Sequence, residues 1–485
     1  MNISSSEVIY ALNALLGEGS ILESSQDMSR YAVDWAGDRL GSPLAVARPR
    51  TTEEVAGIVE FCHRHRVPMV AQGGHTGLVG GALPDAEQPE LVISLERLNQ
   101  IREIDPLNFT LSVDSGCVLQ TVKDVAAEHE CDFPLSLGAQ GSCQIGGNVA
   151  TNAGGLNVLR YGMMRQLVLG LEVVLPDGRI WNGMRALHKD NRGYDLKQLF
   201  IGAEGTLGII TGVVLKLFPQ PQETRTALVA VPDVFAALGL YALARRSCCE
   251  LLSAFELIPR ACLELAFEAA PDLPDPLETP APFYVLLEIT ASGPVDLEAM
   301  IEHLFDSGMQ AGQVLDGVLA SSDAQAARLW RIREAMVEGQ QLHGEHLRTD
   351  IALPISTLGN FFNEANRAMA AISPQTTVIA YGHLGDGNLH FNLLPPAELD
   401  LTAKRVLLHA LETELFAIVE DYQGSISAEH GIGRTKQTAF LDGLSELERE
   451  LISDLKQLFD PDNLMAAGRI LPRVTDPAIH YQPQE

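Results

Sequence analysis

Residues 137–155, LGAQGSCQIGGNVATNAGG, carry six glycines: Gly138, Gly141, Gly146, Gly147, Gly154 and Gly155. Glycine has no Cβ, so backbone built from it can approach a flat, phosphate-bearing ligand closely and turn N–H groups towards it. The short polar residues Gln140, Ser142, Asn148, Thr151 and Asn152 lie between these glycines. No Gly-Lys-Ser/Thr follows, so the stretch is not a P-loop, and it is not a G-x-G-x-x-G turn between a strand and a helix. Taken alone it reads either as a ligand cradle or as a long glycine-rich surface loop.

Two further glycine-bearing loops share the N-terminal half. Gln72–Ala82, QGGHTGLVGGA, follows an expected strand at Pro68–Ala71. Its His75 either contacts a ligand or caps a turn. Phe200–Thr206, FIGAEGT, leads into an apolar, β-branched strand at Ile209–Leu217. Around these loops the pattern gives an amphipathic helix at Val8–Leu16 behind a Ser4-x-x-Glu7 capping box. A β-α-β unit follows: strand Leu44–Ala47, a helix from Val55 to about His65 capped by Thr51-x-x-Glu54, and strand Pro68–Ala71. Strands are expected at Leu91–Leu95 and Phe109–Val113 and a helix at Val118–His129. Pro176-Asp177-Gly178 turns a hairpin between Leu171–Leu175 and Arg179–Trp181.

Pro219-Gln220-Pro221 reads as a domain boundary. Beyond it strands (Ala227–Val231, Leu251–Leu257, Phe283–Thr290) alternate with helices (Val234–Ala244, Leu297–Phe305), which suggests an α+β sheet covered by helices. Ala270–Pro282 is a loop. Ser322–Gln340, Leu401–Tyr422 and Ser445–Phe459 are expected helices, and Thr377–Tyr381 and Leu389–Leu394 expected strands.

The formal net charge is −29, from 34 basic and 63 acidic residues, which argues against nucleic acid or an anionic membrane surface as partner. Seven cysteines, without a C-x-x-C, point to reduced thiols and a cytoplasmic setting. No secretory signal and no 18-residue apolar run is visible.

The chemistry-bearing residues lie in the C-terminal half. In VIAYGHLGDGNLHFNLL (378–394), His383 ends one expected strand and His390 lies early in the next. A hairpin can set the two imidazoles side by side as a transition-metal pair; the alternative is ordinary hairpin histidines bonded to backbone. In SISAEHGIGRTK (425–436), Glu429 is a candidate third ligand and His430 a candidate base. Imidazole with carboxylate suits zinc first, with manganese or iron as alternatives. Arg331 and Arg333 lie on an expected helix, either gripping a substrate carboxylate or on a solvated face. Trp330 reads as core.

These motifs, in this order and spacing, resemble the flavoenzymes of the vanillyl-alcohol oxidase and p-cresol methylhydroxylase superfamily, in the branch of D-2-hydroxyglutarate and D-lactate dehydrogenases. The resemblance runs from about Leu44 to Pro472. It implies an α+β fold: a two-subdomain FAD-binding domain, then an α+β cap with a mainly antiparallel sheet and a helical C-terminus. The corresponding spans are 1–40 for an N-terminal helical segment, 41–220 for FAD binding, 221–472 for substrate and metal, and 473–485 for a tail. It also implies FAD held by Gly73, Gly74, His75, Thr76, Gly77, Leu78 and Gly81. Ser142, Gly146, Gly147, Asn148, Thr151 and Asn152 line the second loop, and Glu204, Gly208 and Ile209 make a third contact. A divalent metal falls to His383, His390 and Glu429, the base to His430, and the substrate to Arg333 and Asn392.

Three positions depart from the family pattern. His75 stands where asparagine is common, which raises the question of covalent flavin attachment. Arg348 replaces an expected lysine and Val337 an expected threonine, both in substrate recognition. The implied reaction is oxidation of a D-2-hydroxy acid, D-2-hydroxyglutarate ahead of D-lactate, D-malate and glycolate. Arg348 joins Arg333 on carboxylates, and electrons pass to an acceptor such as an electron-transferring flavoprotein or a quinone, the one route to peripheral membrane association. A metal-free flavin alcohol oxidase and a non-catalytic flavin-domain subunit are the rival readings; no motif addresses a homodimer.

Overall fold

The computed structural model describes residues 3–35, 37 and 40–473. The chain forms two compact units. One comprises the chain up to Gly155, Gly162–Gln220 and the chain from Glu429; the other comprises Leu156–Tyr161 and Pro221–Ala428.

In the first unit, Thr51 caps the helix Thr52–His65 by accepting from the Glu54 N–H, and Arg66 ends it in the left-handed region at φ 55°. Val55, Ile58, Val59 and Cys62 recur at helical spacing and are all buried. They pack on a sheet in which Pro43–Ala47 and Met69–Gln72 flank Glu90–Ser94 in parallel, with Ile21–Leu22 antiparallel at the edge. Val8 and Leu12 of the first helix, Ser5–Leu16, enter the same core. The expected N-terminal segment is therefore part of this unit. A second sheet is fully antiparallel, in the order Ile101–Asp105, Thr110–Asp114, Ile209–Lys216, Val168–Val174, Ile180–Gly183. Glu172 joins the helix to this sheet: its carboxylate accepts from Thr52 (2.7 Å), Arg102 (2.8 Å) and Thr211 (3.0 Å).

The C-terminal segment returns to this unit. The Met69 N–H donates to Leu464 O (2.8 Å) and the Ala466 N–H to Met69 O (2.8 Å). Arg469, with no exposed side-chain surface, grips Glu90 through both terminal nitrogens (2.6 and 2.7 Å) and donates to the carbonyls of Gly81 and Leu83. The span 221–472, expected as one domain, therefore divides at Ala428/Glu429. A fully buried ion pair is long-range information that local composition does not carry. The expected tail lies outside the described residues except for Arg473.

The second unit is a seven-stranded antiparallel sheet in the order Asp316–Leu319, Glu223–Val231, Phe283–Ala291, Leu252–Pro259, Thr377–His383, Asn388–Leu394, Ile351–Ala352. Alternate residues face opposite cores. Ala227, Val229 and Val231 meet the helices Val234–Ser247, Leu297–Gln310, Leu358–Ile372 and Leu401–Asp421. Leu228 and Ala230 meet Arg260–Ala269 and Asp323–Leu342. The helices Arg260–Ala269 and Leu358–Ile372 are additions to the sequence-based reading.

Arg469→Met leaves Glu90 buried with weaker partners. We expect it to destabilise the first unit by about 3 kcal/mol, the cost typical of breaking a buried pair. Calorimetry should show the loss, while Arg179→Met, which removes a surface pair, should leave the midpoint nearly unchanged.

Candidate active site

The first unit contains a cavity of about 370 Å³. Residues 73–79 and Gly81 of the first glycine loop form one wall. Leu137–Ala139, Cys143, Gln144, Gly146–Asn148 and Thr151 of the second stretch form another, and Glu204, Gly205 and Gly208–Ile210 a third. The loop glycines fall into two groups. A Cβ at Gly74 would lie 2.2 Å from Ser142 O, at Gly146 2.6 Å from Ser115 Cβ, and at Gly155 2.1 Å from Ser136 O. These positions are glycine because protein packs against them. At Gly77, Gly138 and Gly147, which line the cavity, a Cβ would meet no protein atom within 4 Å.

Polar atoms on the cavity wall also lack protein partners. His75 Nε2, Gln144 Oε1 and Asn148 Oδ1 are buried without a hydrogen bond. A buried unsatisfied group costs about 1–3 kcal/mol, and three on residues from two facing stretches of one cavity lining are accounted for by a polar ligand. Burial holds the His75 pKa below its ordinary value despite its hydrogen bond to the Arg30 carbonyl and the nearby Asp34.

Glu204 stands at φ 51°. Its carboxylate accepts from the backbone N–H groups of Ile432 (2.8 Å) and Gly433 (2.7 Å). Burial pushes its pKa up against those two hydrogen bonds and the nearby Lys436. Gly431 and Gly433 both have positive φ, and a Cβ at Gly433 would lie 2.3 Å from Val79 O. The turn after His430 is thus pinned between Glu204 and the first glycine loop, and Glu429 and His430 line the cavity. Glu429 Oε1 accepts from the Gly155 N–H at 2.5 Å.

In the second unit, Thr377–His383 and Asn388–Leu394 form the expected hairpin, with Tyr381 paired to His390. The rings of His383 and His390 lie 5.6 Å apart at 76°, and one nitrogen from each is within 4.8 Å of the other. Each imidazole has a buried carboxylate at Nδ1. His383 Nδ1 donates to Glu256 Oε1, and Asp350 Oδ1 lies 4.0 Å from His390 Nδ1. A carboxylate hydrogen-bonded to the imidazole, as Glu256 is to His383, is how metal-ligating histidines are oriented. Burial alone would raise the Glu256 pKa, but His383 and Arg333 outweigh it and hold the carboxyl down to about 2.

Arg331 and Arg333 are two residues apart and so point to nearly opposite faces of the helix Asp323–Leu342. Arg331 is half-exposed and pairs with Glu338. Arg333 is buried, with Nε donating to Glu256 Oε2 at 2.8 Å and its guanidinium 4.5 Å from the Tyr381 ring centroid. Among the described residues its two terminal nitrogens have no hydrogen-bond partner. Asn392 is also buried, and its amide is shared between Gln340 Oε1 (2.7 Å) and the Thr349 N–H (2.9 Å).

Several expected site residues take other places. Ser142 lies off the cavity wall and its hydroxyl donates to Ala139 O. Asn152 turns its carbonyl to the Arg165 N–H and its amide towards Met163. Arg348 is exposed against His346, and Val337 is exposed, whereas Glu204 stays on the cavity wall with its carboxylate on backbone N–H groups. Trp330 packs at the edge of the second core and donates to Glu288. Gln144, Asp350 and Glu256 were not anticipated. Gln144 stood inside a noted stretch, but a lone Glu in the apolar strand LSAFELIP gives no signal beyond its being a charge in a run with no exposed side.

Family models divide the chain before residue 220 and run on past Glu429. A family model described as "FAD binding domain" matches residues 43–183, and one described as "FAD linked oxidases, C-terminal domain" matches 220–470. The chain is 37% identical over 472 residues, 97% of it and 82% of the relative, to the "Probable D-2-hydroxyglutarate dehydrogenase, mitochondrial" of Oryza sativa subsp. indica. It is 39% identical to the Bos taurus "D-2-hydroxyglutarate dehydrogenase, mitochondrial", over 94% of the chain and 81% of the relative. In fold it resembles p-cresol methylhydroxylase with substrate bound: TM-score 0.75, 16% identity, covering 96% of this chain and 97% of that one. The unpartnered polar atoms and open glycines suit FAD in the cavity. Among the described residues no helix is long and apolar enough to cross a membrane.

Gly147→Leu should send its side chain into cavity space, because a Cβ there meets no protein atom within 4 Å. We expect a folded protein whose FAD affinity, read by flavin released on dilution, falls about tenfold or more, the equivalent of about 1.4 kcal/mol of lost binding. Gly146→Leu should instead lower the thermal midpoint, because its Cβ meets Ser115.

Proposed function

The chain belongs to the FAD-linked oxidoreductases that include the D-2-hydroxyglutarate dehydrogenases, and we propose that it oxidises a D-2-hydroxy acid, D-2-hydroxyglutarate foremost, to the 2-oxo acid. The observation that carries the reading is the pair His383 and His390 with buried carboxylates behind both rings, and Arg333 tied to one of those carboxylates. A plain alcohol oxidase has no use for a buried arginine with two unpartnered terminal nitrogens, whereas a hydroxy acid offers it a carboxylate to hold.

The glycine cradle would hold FAD, which would supply the hydride acceptor. His383, His390 and Glu429 would hold a divalent metal, zinc first, which would supply Lewis acidity. The remaining work falls to side chains of this chain. Arg333 receives a substrate carboxylate on its terminal nitrogens while Nε stays on Glu256. Asn392, fixed by Gln340 and Thr349, shapes the wall beside the metal pair. His430 takes the proton of the 2-hydroxyl; an imidazole's ordinary pKa lies near neutrality, which suits that task. Holding the acid by one end presents one face of C2, and this would select the D-configuration. The 2-oxo product leaves with two hydrogens fewer: one as the proton on His430, one as the hydride.

A smaller acid such as D-lactate is the second reading. It is favoured by the exposed Arg348 and Val337, which leave Arg333 as the buried cation of this network. The acceptor, an electron-transferring flavoprotein or a quinone, stays with the family resemblance. A cytoplasmic location rests on the seven free cysteines.

His430→Asn keeps the side chain near its size and removes the base. We expect turnover of D-2-hydroxyglutarate with a dye acceptor to fall about 10²–10⁴-fold, with the flavin spectrum unchanged. Chelation of the wild type should abolish activity and divalent metal restore it. Normal turnover by His430→Asn removes it from the reaction, and normal turnover by a verified metal-free sample removes the metal.

A further inference from the structure

Glu256 lies in the strand Leu252–Pro259 with no exposed side-chain surface, and its two carboxylate oxygens serve different groups. Oε1 accepts from His383 Nδ1 and Oε2 from Arg333 Nε. The sheet register makes the first contact: Glu256 and His383 are directly opposed across the Leu252–Pro259 and Thr377–His383 strands, so their side chains leave one face side by side. The helix Asp323–Leu342 makes the second, laying Arg333 over Tyr381, which shares the face of His383 two residues away. Gln340 of the same helix donates to the Tyr381 hydroxyl at 3.2 Å and accepts from Asn392. A carboxylate only accepts, so His383 carries its proton on Nδ1 and turns the lone pair of Nε2 away from Glu256.

We propose that Glu256 is a positioning residue that holds the ligand His383 and the carboxylate-gripping Arg333 as one rigid pair, so that metal binding and substrate-carboxylate binding are coupled through a single buried side chain. The proposal rests on the reading of His383 as a metal ligand and Arg333 as the substrate arginine. Its particular consequence is that a change at Arg333, whose bonding runs through Glu256, alters metal affinity. A structural salt bridge would have no such effect, because loss of a surface-distant pair changes stability without reaching a metal-ligand bond.

The test uses purified, FAD-loaded wild type, Glu256→Gln, Glu256→Asp, Arg333→Lys and His383→Ala. Zinc affinity is read by competition with a chelator, KM with D-2-hydroxyglutarate, and FAD content as the control for folding. We expect Glu256→Gln to lose about 10–100-fold in zinc affinity, as loss of a carboxylate behind a ligand histidine does, and to raise KM. Glu256→Asp should recover part of both. Arg333→Lys keeps a cation and is the variant to use if Glu256→Gln does not fold; it should also weaken zinc. Wild-type zinc affinity in both Glu256→Gln and Arg333→Lys would overturn the coupling. If wild type binds zinc no better than His383→Ala, the metal reading itself falls and so does the coupling, whereas failure of the coupling alone leaves wild-type zinc binding intact.

Discussion

The first unit depends on backbone meeting backbone with no Cβ between. Ser142 O, Ser136 O and Val79 O would lie 2.1–2.3 Å from Cβ atoms at Gly74, Gly155 and Gly433. No side chain survives at those distances, so these glycines are what allow the two loops and the turn after His430 to close on one cavity. Gly77, Gly138 and Gly147 then stand open towards the space so formed. Alike in sequence, one set of glycines builds the wall and the other admits the cofactor.

Buried carboxylates do the complementary work of fixing what the glycines bring close. Glu204 holds the backbone after His430, Glu90 holds Arg469 and so the returning C-terminus, and Glu172 holds the helix Thr52–His65 to the second sheet. In the second unit Glu256 and Asp350 stand behind the two histidines. Each is costly to bury, and each is offset by hydrogen-bond donors: arginine, imidazole, hydroxyl or backbone N–H groups for the glutamates, and the Asn388 amide for Asp350. An acidic chain thus spends part of its negative charge inside, where it sets geometry.

Local pattern carried much of this. The capped helix at Thr52, the hairpin that sets His383 beside His390 and the cavity-lining glycines were all legible from spacing, because each depends on neighbours in sequence. What escaped was long-range. Glu256 reaches His383 across 127 residues and Arg469 reaches Glu90 across 379, and nothing in either local stretch names its partner. Asn152 and Ser142 were misplaced for a related reason. Motif position fixed the loop, but the side-chain direction was decided by a competing local partner, the Arg165 N–H for one and Ala139 O for the other. Arg348 and Val337, which the resemblance marked for substrate recognition, are both exposed, so the substrate's second end is the least legible part of the site.

The central claim is that a D-2-hydroxy acid reduces the flavin of this chain. Anaerobic mixing of the metal-loaded, FAD-loaded protein with D- and L-2-hydroxyglutarate, D-lactate, D-malate and glycolate, followed at the flavin absorption band, tests it most directly. The account predicts bleaching by a D-acid, with one 2-oxo acid formed per flavin and no bleaching by the L-enantiomer. A flavin that stays oxidised with every D-acid, or that bleaches equally with both enantiomers, would contradict it.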